Sequence, residues 1–303
     1  MDHNNLAELE QQILAPSLDL IEDIKKITGD ILFLGIGGKM GPSMAKLAMR
    51  AIQAAGIDKK VIGVSRFSSK ELQQELEDLG IKTIACDLLN EEELKKIPQV
   101  PNVIYLAGHK FGTTGNEDFT WAMNTYLPGM VASHFRDSNI VAFSSGNVLP
   151  FVPISNAGVS EERTPEPVGE YAQSCLGRER IFEYFSKKNG TPTLIYRLNY
   201  AVDFRYGVLV EIAKSVKGQL PIDLTTENVN VIWQGDANEI ALRSLLHCQS
   251  PAKILNVTGP EILSTRWIAE RFSEHFSTKP IFVNEPAGTA LLNNASECHR
   301  LFG

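Results

Sequence analysis

Residues Ile31 to Gly41 read I-L-F-L-G-I-G-G-K-M-G, and no other stretch restricts the fold of this chain so tightly. Four apolar residues in succession have the continuity of a strand buried on both faces, the habit of parallel sheets. Gly35, Gly38 and Gly41 follow at three-residue spacing. Met44, Ala45, Leu47, Ala48 and Ile52 then fall on one face of a helix. Strand, glycine turn and helix in that order make a diphosphate site. Glycine lets the backbone approach the ligand, and the helix N-terminus offers N–H groups and the positive end of its dipole. The competing reading is an ordinary glycine turn of some other α/β protein, and the rest of the chain argues against it.

Apolar runs and helical spacings alternate along the sequence. Strands are predicted at 31–35, 60–65, 81–85, 102–107, 139–144, 193–198 and about 254–257. Helices are predicted at 41–55, 69–79, 91–96, 118–136, 169–189, 208–217, 236–248 and 264–275. This is the pattern of an α/β, Rossmann-type doubly wound parallel sheet with helices on both faces. Ahead of it, Leu6, Leu9, Ile13, Leu14, Leu18, Ile21, Ile24 and Ile27 space out one or two amphipathic helices suited to packing or dimer contact. The expected organisation is an N-terminal helical extension over 1–28, a dinucleotide-binding domain over 29–198 plus 229–258, and a smaller substrate-binding region over 199–228 plus 259–303. The last, rich in Pro, Gly and Asn, is expected to cap the carboxyl ends of the strands, where ligands bind in such sheets.

Composition removes several classes. With 303 residues, 43% of them hydrophobic, the chain can bury a full core. The net charge is −7 and no basic block occurs, which argues against a nucleic-acid partner. No apolar run approaches the ~20 residues of a membrane span. Met1 to Glu10 lacks the basic-then-apolar order of a signal peptide. Cys86, Cys175, Cys248 and Cys298 are far apart and form no metal-type pair. Free thiols in a cytoplasmic protein with no bound metal are the expectation.

The turn itself, with Lys39 and Met40 inside it, is the expected pyrophosphate contact. The second strand ends at Ser65-Arg66, where an acid would bind the adenosine ribose hydroxyls and disfavour a 2′-phosphate. A small hydroxyl and a cation favour NADP over NAD, with a solvated surface arginine as the competing reading. Asp87-Leu88 follows the third strand and Leu106-Ala107-Gly108 the fourth, both bordering the cofactor crevice in this topology. Asp87 either binds the adenine amino group or caps the turn before the next helix.

Phe143-Ser144-Ser145-Gly146-Asn147-Val148 closes the fifth strand, and Tyr171 opens a helix in E-Y-A-Q-S-C-L-G-R-E-R. With the glycine turn, L-A-G, Asn124 in the next helix and R-L-N at 197–199, these residues resemble the extended short-chain dehydrogenase/reductase family of NAD-dependent epimerases and dehydratases. The run L-A-G-H-K resembles the epimerase branch, which has a lysine near the cofactor at the place of Lys110. The resemblance implies NADP or NAD as cofactor and a homodimer paired through helices 118–136 and 169–189. It implies Tyr171 as the acid/base for a carbinol–carbonyl pair, Ser145 to orient the same oxygen, and Ser144, Asn124 and Asn199 near the coenzyme. It also implies a lysine four residues after the tyrosine, which holds the nicotinamide ribose and lowers the phenol pKa from ~10.

That lysine is absent: the position is Cys175. A thiol supplies neither charge nor the lysine's donors. Three readings follow. Another cation substitutes, Lys110 or Arg178; the reaction demands less of the tyrosine; or the fold keeps its cofactor without turnover. Gly146-Asn147 stand where dehydratases of the family place Asp-Glu. Val229 stands seven residues before Asp236, where nucleotide-sugar members carry an arginine for the diphosphate. The expected substrate is therefore a small sugar, sugar acid or polyol without a nucleotide, with Gly146, Asn147, His109, Tyr200, Arg205 and Trp233 as candidate contacts. Each has a bland alternative: polar packing for Asn199, Tyr200, Trp233 and Gln234, a structural imidazole for His109, and a surface ion pair for Arg205.

Overall fold

The computed structural model describes residues 3–110 and 112–303, with the side chains of residues 3–7, Leu6 among them, outside the description. Seven strands build the main sheet: β1 (Ile31–Leu34), β2 (Val61–Ser65), β3 (Lys82–Ala85), β4 (Asn102–Tyr105), β5 (Asn139–Ser145), β6 (Thr193–Leu198) and β7 (Lys253–Val257). They lie in the order β7-β6-β5-β4-β1-β2-β3. β1 pairs in parallel with β2 and β4, β2 with β3, and β4 with β5. The order doubles back at β1, so the chain leaves this strand at the topological switch where such sheets take their ligands. β1 is buried along its whole length, which explains its unbroken apolar run.

The helices are α1 (His3–Ile13), α2 (Leu18–Lys26), α3 (Gly41–Ala55), α4 (Lys70–Asp78), α5 (Glu91–Leu94), α6 (Glu117–Trp121), α7 (Leu127–His134), α8 (Gly169–Asn189), α9 (Val208–Gly218), α10 (Gln234–Arg243), α11 (Thr265–Phe276) and α12 (Ser296–Phe302). The single helix expected over 118–136 is in fact α6, one π-helical turn over Ala122–Tyr126, and α7. Pro128 in the first turn of α7 is the physical reason: with no N–H it cannot serve the carbonyl of Asn124, four residues back. Such turns concentrate at functional positions.

The chain forms two compact units, 1–144 with 169–196 and 238–254, and 145–168 with 197–237 and 255–303. In the first, Leu32, Leu34, Val103, Tyr105, Phe135 and Phe182 belong to one core. Its N-terminal helices pack rather than project. Ser17 caps α2 by accepting from Leu20 N–H, and Leu20 and Ile24 are fully buried. Arg243 of α10 donates to Asp23 at 2.8 Å and also meets Asp19 and Glu239.

The second unit has short pieces only. Asn228–Val229 pairs antiparallel with Leu263–Ser264, Pro221–Asp223 parallel with Ile281–Val283, Ala201–Val202 parallel with Ile232–Trp233, and Val152–Pro153 antiparallel with Thr289–Ala290. Ile212 and Val216 of α9 and Ile268 and Ala269 of α11 close its core over Ile222 and Val229. Among the described residues, no helix is long and apolar enough to cross a membrane.

Candidate active site

The glycine turn leaves no space for side chains where it must be tight. Gly35 has φ of +90°, and a Cβ there would stand 2.7 Å from the Ala107 nitrogen. A Cβ on Gly41 would collide with the Ile36 carbonyl oxygen. Gly38, Lys39 and Met40 lie on the turn between them. Gly38 and Lys39 are exposed and Met40 half-buried. α3 begins with Met40 as N-cap without a side-chain bond, has Pro42 in its first turn and carries no acid there. Its first turn thus brings no acid of its own to the N-terminal N–H groups, and these features together fit a dinucleotide pyrophosphate.

At the edges of this turn, Ser65 is half-buried at the end of β2 and Arg66 is exposed. Asp87 is exposed; its carboxylate accepts from Leu89 N–H at 3.1 Å, while Asn90 caps α5. Leu88 is buried below it. Leu106 N–H bonds to Leu34 O at 2.8 Å, carrying β4 on beside the turn, so that Leu106, Ala107 and Gly108 follow the switch point directly.

Around α8 the same unit gathers its polar groups. Asn124, fully buried in the π-helical turn, grips the backbone of His109 at both ends: its Oδ1 accepts from His109 N–H at 2.8 Å and its Nδ2 donates to His109 O at 2.9 Å. That clamp fixes the segment carrying Lys110, whose Nζ lies 6.0 Å from the centre of the Tyr171 ring. Lys110 keeps solvent contact, yet surrounding protein lowers its ammonium pKa; a thiolate at Cys175 would oppose this and Lys39 adds to it. The His109 ring shares a hydrogen bond at 3.0 Å with Thr120 Oγ1 and packs edge-on against Phe119, as a structural imidazole does. Cys175 is closed off from solvent. Burial raises its thiol pKa, against the opposing charge of Arg178 and a hydrogen bond with the Tyr171 side chain. Burial thus favours the protonated thiol at Cys175. Ser144 Oγ donates to Glu179 Oε1 at 2.6 Å, both buried.

The second unit holds the remaining candidates. Ser145 caps the short turn Gly146–Val148, its Oγ 3.0 Å from Asn147 Oδ1. Asn199 is buried and donates to Asn230 Oδ1 at 2.8 Å; Asn230 donates in turn to the Asn293 carbonyl at 2.7 Å. Both side-chain polar atoms of Asn293 are buried without a hydrogen-bond partner, and its carboxamide packs on Gly146. Asn230 and Asn293 gave no signal in the sequence, since an isolated Asn in a loop is ordinarily a turn residue. Tyr200 is 40% exposed at φ of +44°. Arg205 lies 3.5 Å from Asp203 and stacks on Phe204, and Trp233 lies against the same ring. Val229 is buried and lines a cavity with Tyr200, Glu211, Asp223, Asn228 and Thr265. The cavity lining includes two acids and neither lysine nor arginine. Among the described residues, no group of His, Cys, Asp and Glu is arranged to hold a metal.

A model of the NAD dependent epimerase/dehydratase family matches residues 31–202. No curated protein matches the chain. Solved structures share its fold. The UDP-Glc/GlcNAc 4-epimerase of Campylobacter jejuni is 17% identical at a TM-score of 0.74, over 90% of this chain and 92% of that one. The UDP-glucuronic acid 4-epimerase of Bacillus cereus, in complex with UDP-glucuronic acid and NAD, is 17% identical at 0.72 with the same coverage. The UDP-glucose 4-epimerase of Thermus thermophilus, in complex with NAD, is 16% identical at 0.70, again over 90% and 92%.

Proposed function

The chain belongs to the NAD-dependent epimerase/dehydratase family, and from that premise we propose that it is an NAD(P)-dependent oxidoreductase or epimerase acting on a small sugar, sugar acid or polyol. The observation that carries this reading is the cation over the phenol: Lys110 Nζ stands 6.0 Å from the Tyr171 ring although the helix supplies only a thiol at position 175. The nicotinamide supplies or accepts a hydride. Tyr171 gives or takes the proton of the substrate oxygen, Ser145 orients that oxygen, and Lys110 offers positive charge and donors near the ribose. Gly35, Gly41 and the N-terminus of α3 hold the pyrophosphate. Ser65-Arg66 favours NADP, whereas the Bacillus cereus and Thermus thermophilus structures hold NAD. Both coenzymes therefore belong in the test.

The solved relatives act on UDP-sugars, so a nucleotide sugar is the second substrate class. The cavity beside Val229 favours the smaller one: its acids suit hydroxyl groups and would repel a diphosphate. Calorimetry with NADP and NAD, followed by UDP-glucose, UDP-glucuronic acid, free sugars and sugar acids, tests both halves. Binding of neither coenzyme overturns the reading; binding of the UDP-sugars and not of the free sugars overturns the substrate class. A non-catalytic sensing role is favoured by Cys175 alone. It predicts coenzyme binding with no solvent-dependent hydride or proton exchange on any sugar, and indifference to Tyr171→Phe.

We also propose a homodimer through α6–α7 and α8. Trp121, Tyr126, Met130 and Ile181 line an apolar surface groove there, with Trp121 and Tyr126 37% and 56% exposed. Sedimentation of the wild type and of Met130→Glu tests it: a dimer that becomes a monomer supports the assignment, and a wild-type monomer sinks it.

A further inference from the structure

α8 places Arg178 one turn beyond Cys175, and only 7% of this arginine is exposed. Long side chains on a helix lean toward its N-terminus, so the guanidinium covers the turn of Ser174 and Cys175 rather than its own. Asn124 shows that level directly, because its Nδ2 donates to Ser174 Oγ at 3.0 Å while its Oδ1 accepts from Arg178 Nη2 at 2.6 Å. Nη1 donates to Phe143 O at 2.8 Å, immediately before the serine pair, and Nε to Asn124 O at 3.4 Å. The last acceptor is the carbonyl that Pro128 cannot serve. Nη2 also fills the space where a Cβ on Gly108 would sit, 2.5 Å away.

We propose that Arg178 is the fixed cation of this reaction centre and its positioning residue: it replaces the charge that a lysine at 175 would bring, and through Asn124 it holds the His109–Lys110 backbone. The work of one lysine is thus divided. Arg178 supplies a stationary charge, and Lys110 supplies the donors that reach out of the protein. All three hydrogen bonds of the guanidinium end on neutral oxygens, which leaves its charge to act on Cys175, Tyr105, Tyr171 and Glu179 around it. Its carbon lies 5.7 Å from the centre of the Tyr105 ring, closing the far side. Among the charged and titratable groups around Tyr171 are Lys110 from the loop after β4, and Cys175 and Arg178 from α8 itself; Glu179 lies beside Arg178 on the same helix, and Lys39 acts on Lys110. The proposal rests on the reading of Tyr171 as the proton carrier, and its test needs neither coenzyme nor substrate.

The experiment is a tyrosinate titration near 295 nm of the full-length protein without coenzyme, from which the Tyr171→Phe titration is subtracted to isolate one phenol. Arg178→Met is expected to move the Tyr171 midpoint up by about one pH unit or more, the ordinary size of a lost neighbouring cation. Arg178→Lys restores most of the shift, and Cys175→Lys added to the Arg178→Met variant restores it from the other position. A Tyr171 midpoint that Arg178→Met leaves unchanged overturns the proposal and makes the arginine a strut. So does a midpoint that rises equally in Arg178→Lys. Circular dichroism accompanies each variant. Should Arg178→Met fail to fold, Arg178→Gln against Arg178→Lys makes the same comparison of charge. Failure of coenzyme binding would overturn the function proposed above and leave this titration readable.

Discussion

The two units of the molecule solve opposite problems. The first is built from long-range order: a sheet with a strand buried over its full length, a glycine turn that has no room for a Cβ at Gly35 or Gly41, and one asparagine that grips a backbone at both N–H and C=O. The second is built from two-residue strand pairs and side-chain amides, with Asn199, Asn230 and Asn293 chained together and two amide atoms left without partners. A coenzyme common to many reactions calls for a rigid, repeatable cradle. In the function proposed above, the second unit would meet the substrate, through loops whose specificity lies in single side chains.

Five measurements probe that contrast. The largest effect is expected at Tyr171→Phe, which should lower kcat about 10²- to 10⁴-fold while coenzyme affinity stays level, since only proton transfer is removed. An equal loss in coenzyme affinity would mean that the phenol belongs to the cradle instead. Gly35→Val should weaken coenzyme binding by roughly 100-fold or more and lower the melting temperature, because left-handed backbone and a contact under 3 Å are imposed at once. Unchanged binding in calorimetry would remove the turn from the site. In the second unit, Asn230→Ala strips Asn199 of its acceptor and should cost about 1–3 kcal/mol in urea unfolding, raising KM for substrate without touching coenzyme affinity.

Arg243→Ala tests the anchoring of α2 and should cost about 1–2 kcal/mol at neutral pH. Burial raises the Asp23 pKa, but hydrogen bonds from Lys26 and Arg243 outweigh it and the net shift is downward. A depressed folded-state value adds stability above the unfolded carboxyl range, lost as pH falls through the folded one. The gap between wild type and variant should therefore be full at about pH 6 and shrink below about pH 4. A gap independent of pH would mean that packing, not charge, holds the helix. The smallest effect is expected at Arg66→Asp, about a tenfold move from NADP toward NAD in the ratio of dissociation constants. A ratio that does not move marks Arg66 as a solvated surface group.

All seven strands of the main sheet were legible in the sequence: strands such as β1, β2 and β4 as buried apolar runs, and the edge strand β3, exposed at both ends, by its place in the β/α alternation. The glycine turn was legible because its glycines answer to backbone geometry. The break in the helix around Asn124 was not, since apolar spacing near 3.6 looks alike on either side of one wide turn, although Pro128 was the signal available. The second unit stayed vague for a different reason: a strand of two residues has no period to detect, and an amide chain such as Asn199–Asn230–Asn293 joins positions about 30 and 60 apart. Arg178 stood out as a substitute cation by its place on α8. Its grip on Asn124 and Phe143 is tertiary and could not be read from spacing.

The bonds of Arg178 have a practical consequence for anyone splicing this chain with a lysine-bearing homologue. Residues 105–128 and 171–179 form one inheritance unit: the proline that exposes a carbonyl, the amide that turns its oxygen inward, the thiol and the guanidinium. A chimera that takes one half and leaves the other either parts the buried guanidinium from the Asn124 oxygens that receive it or leaves those oxygens unserved. Recombination breakpoints placed between these segments should thus yield few folded clones, and breakpoints outside both should yield many.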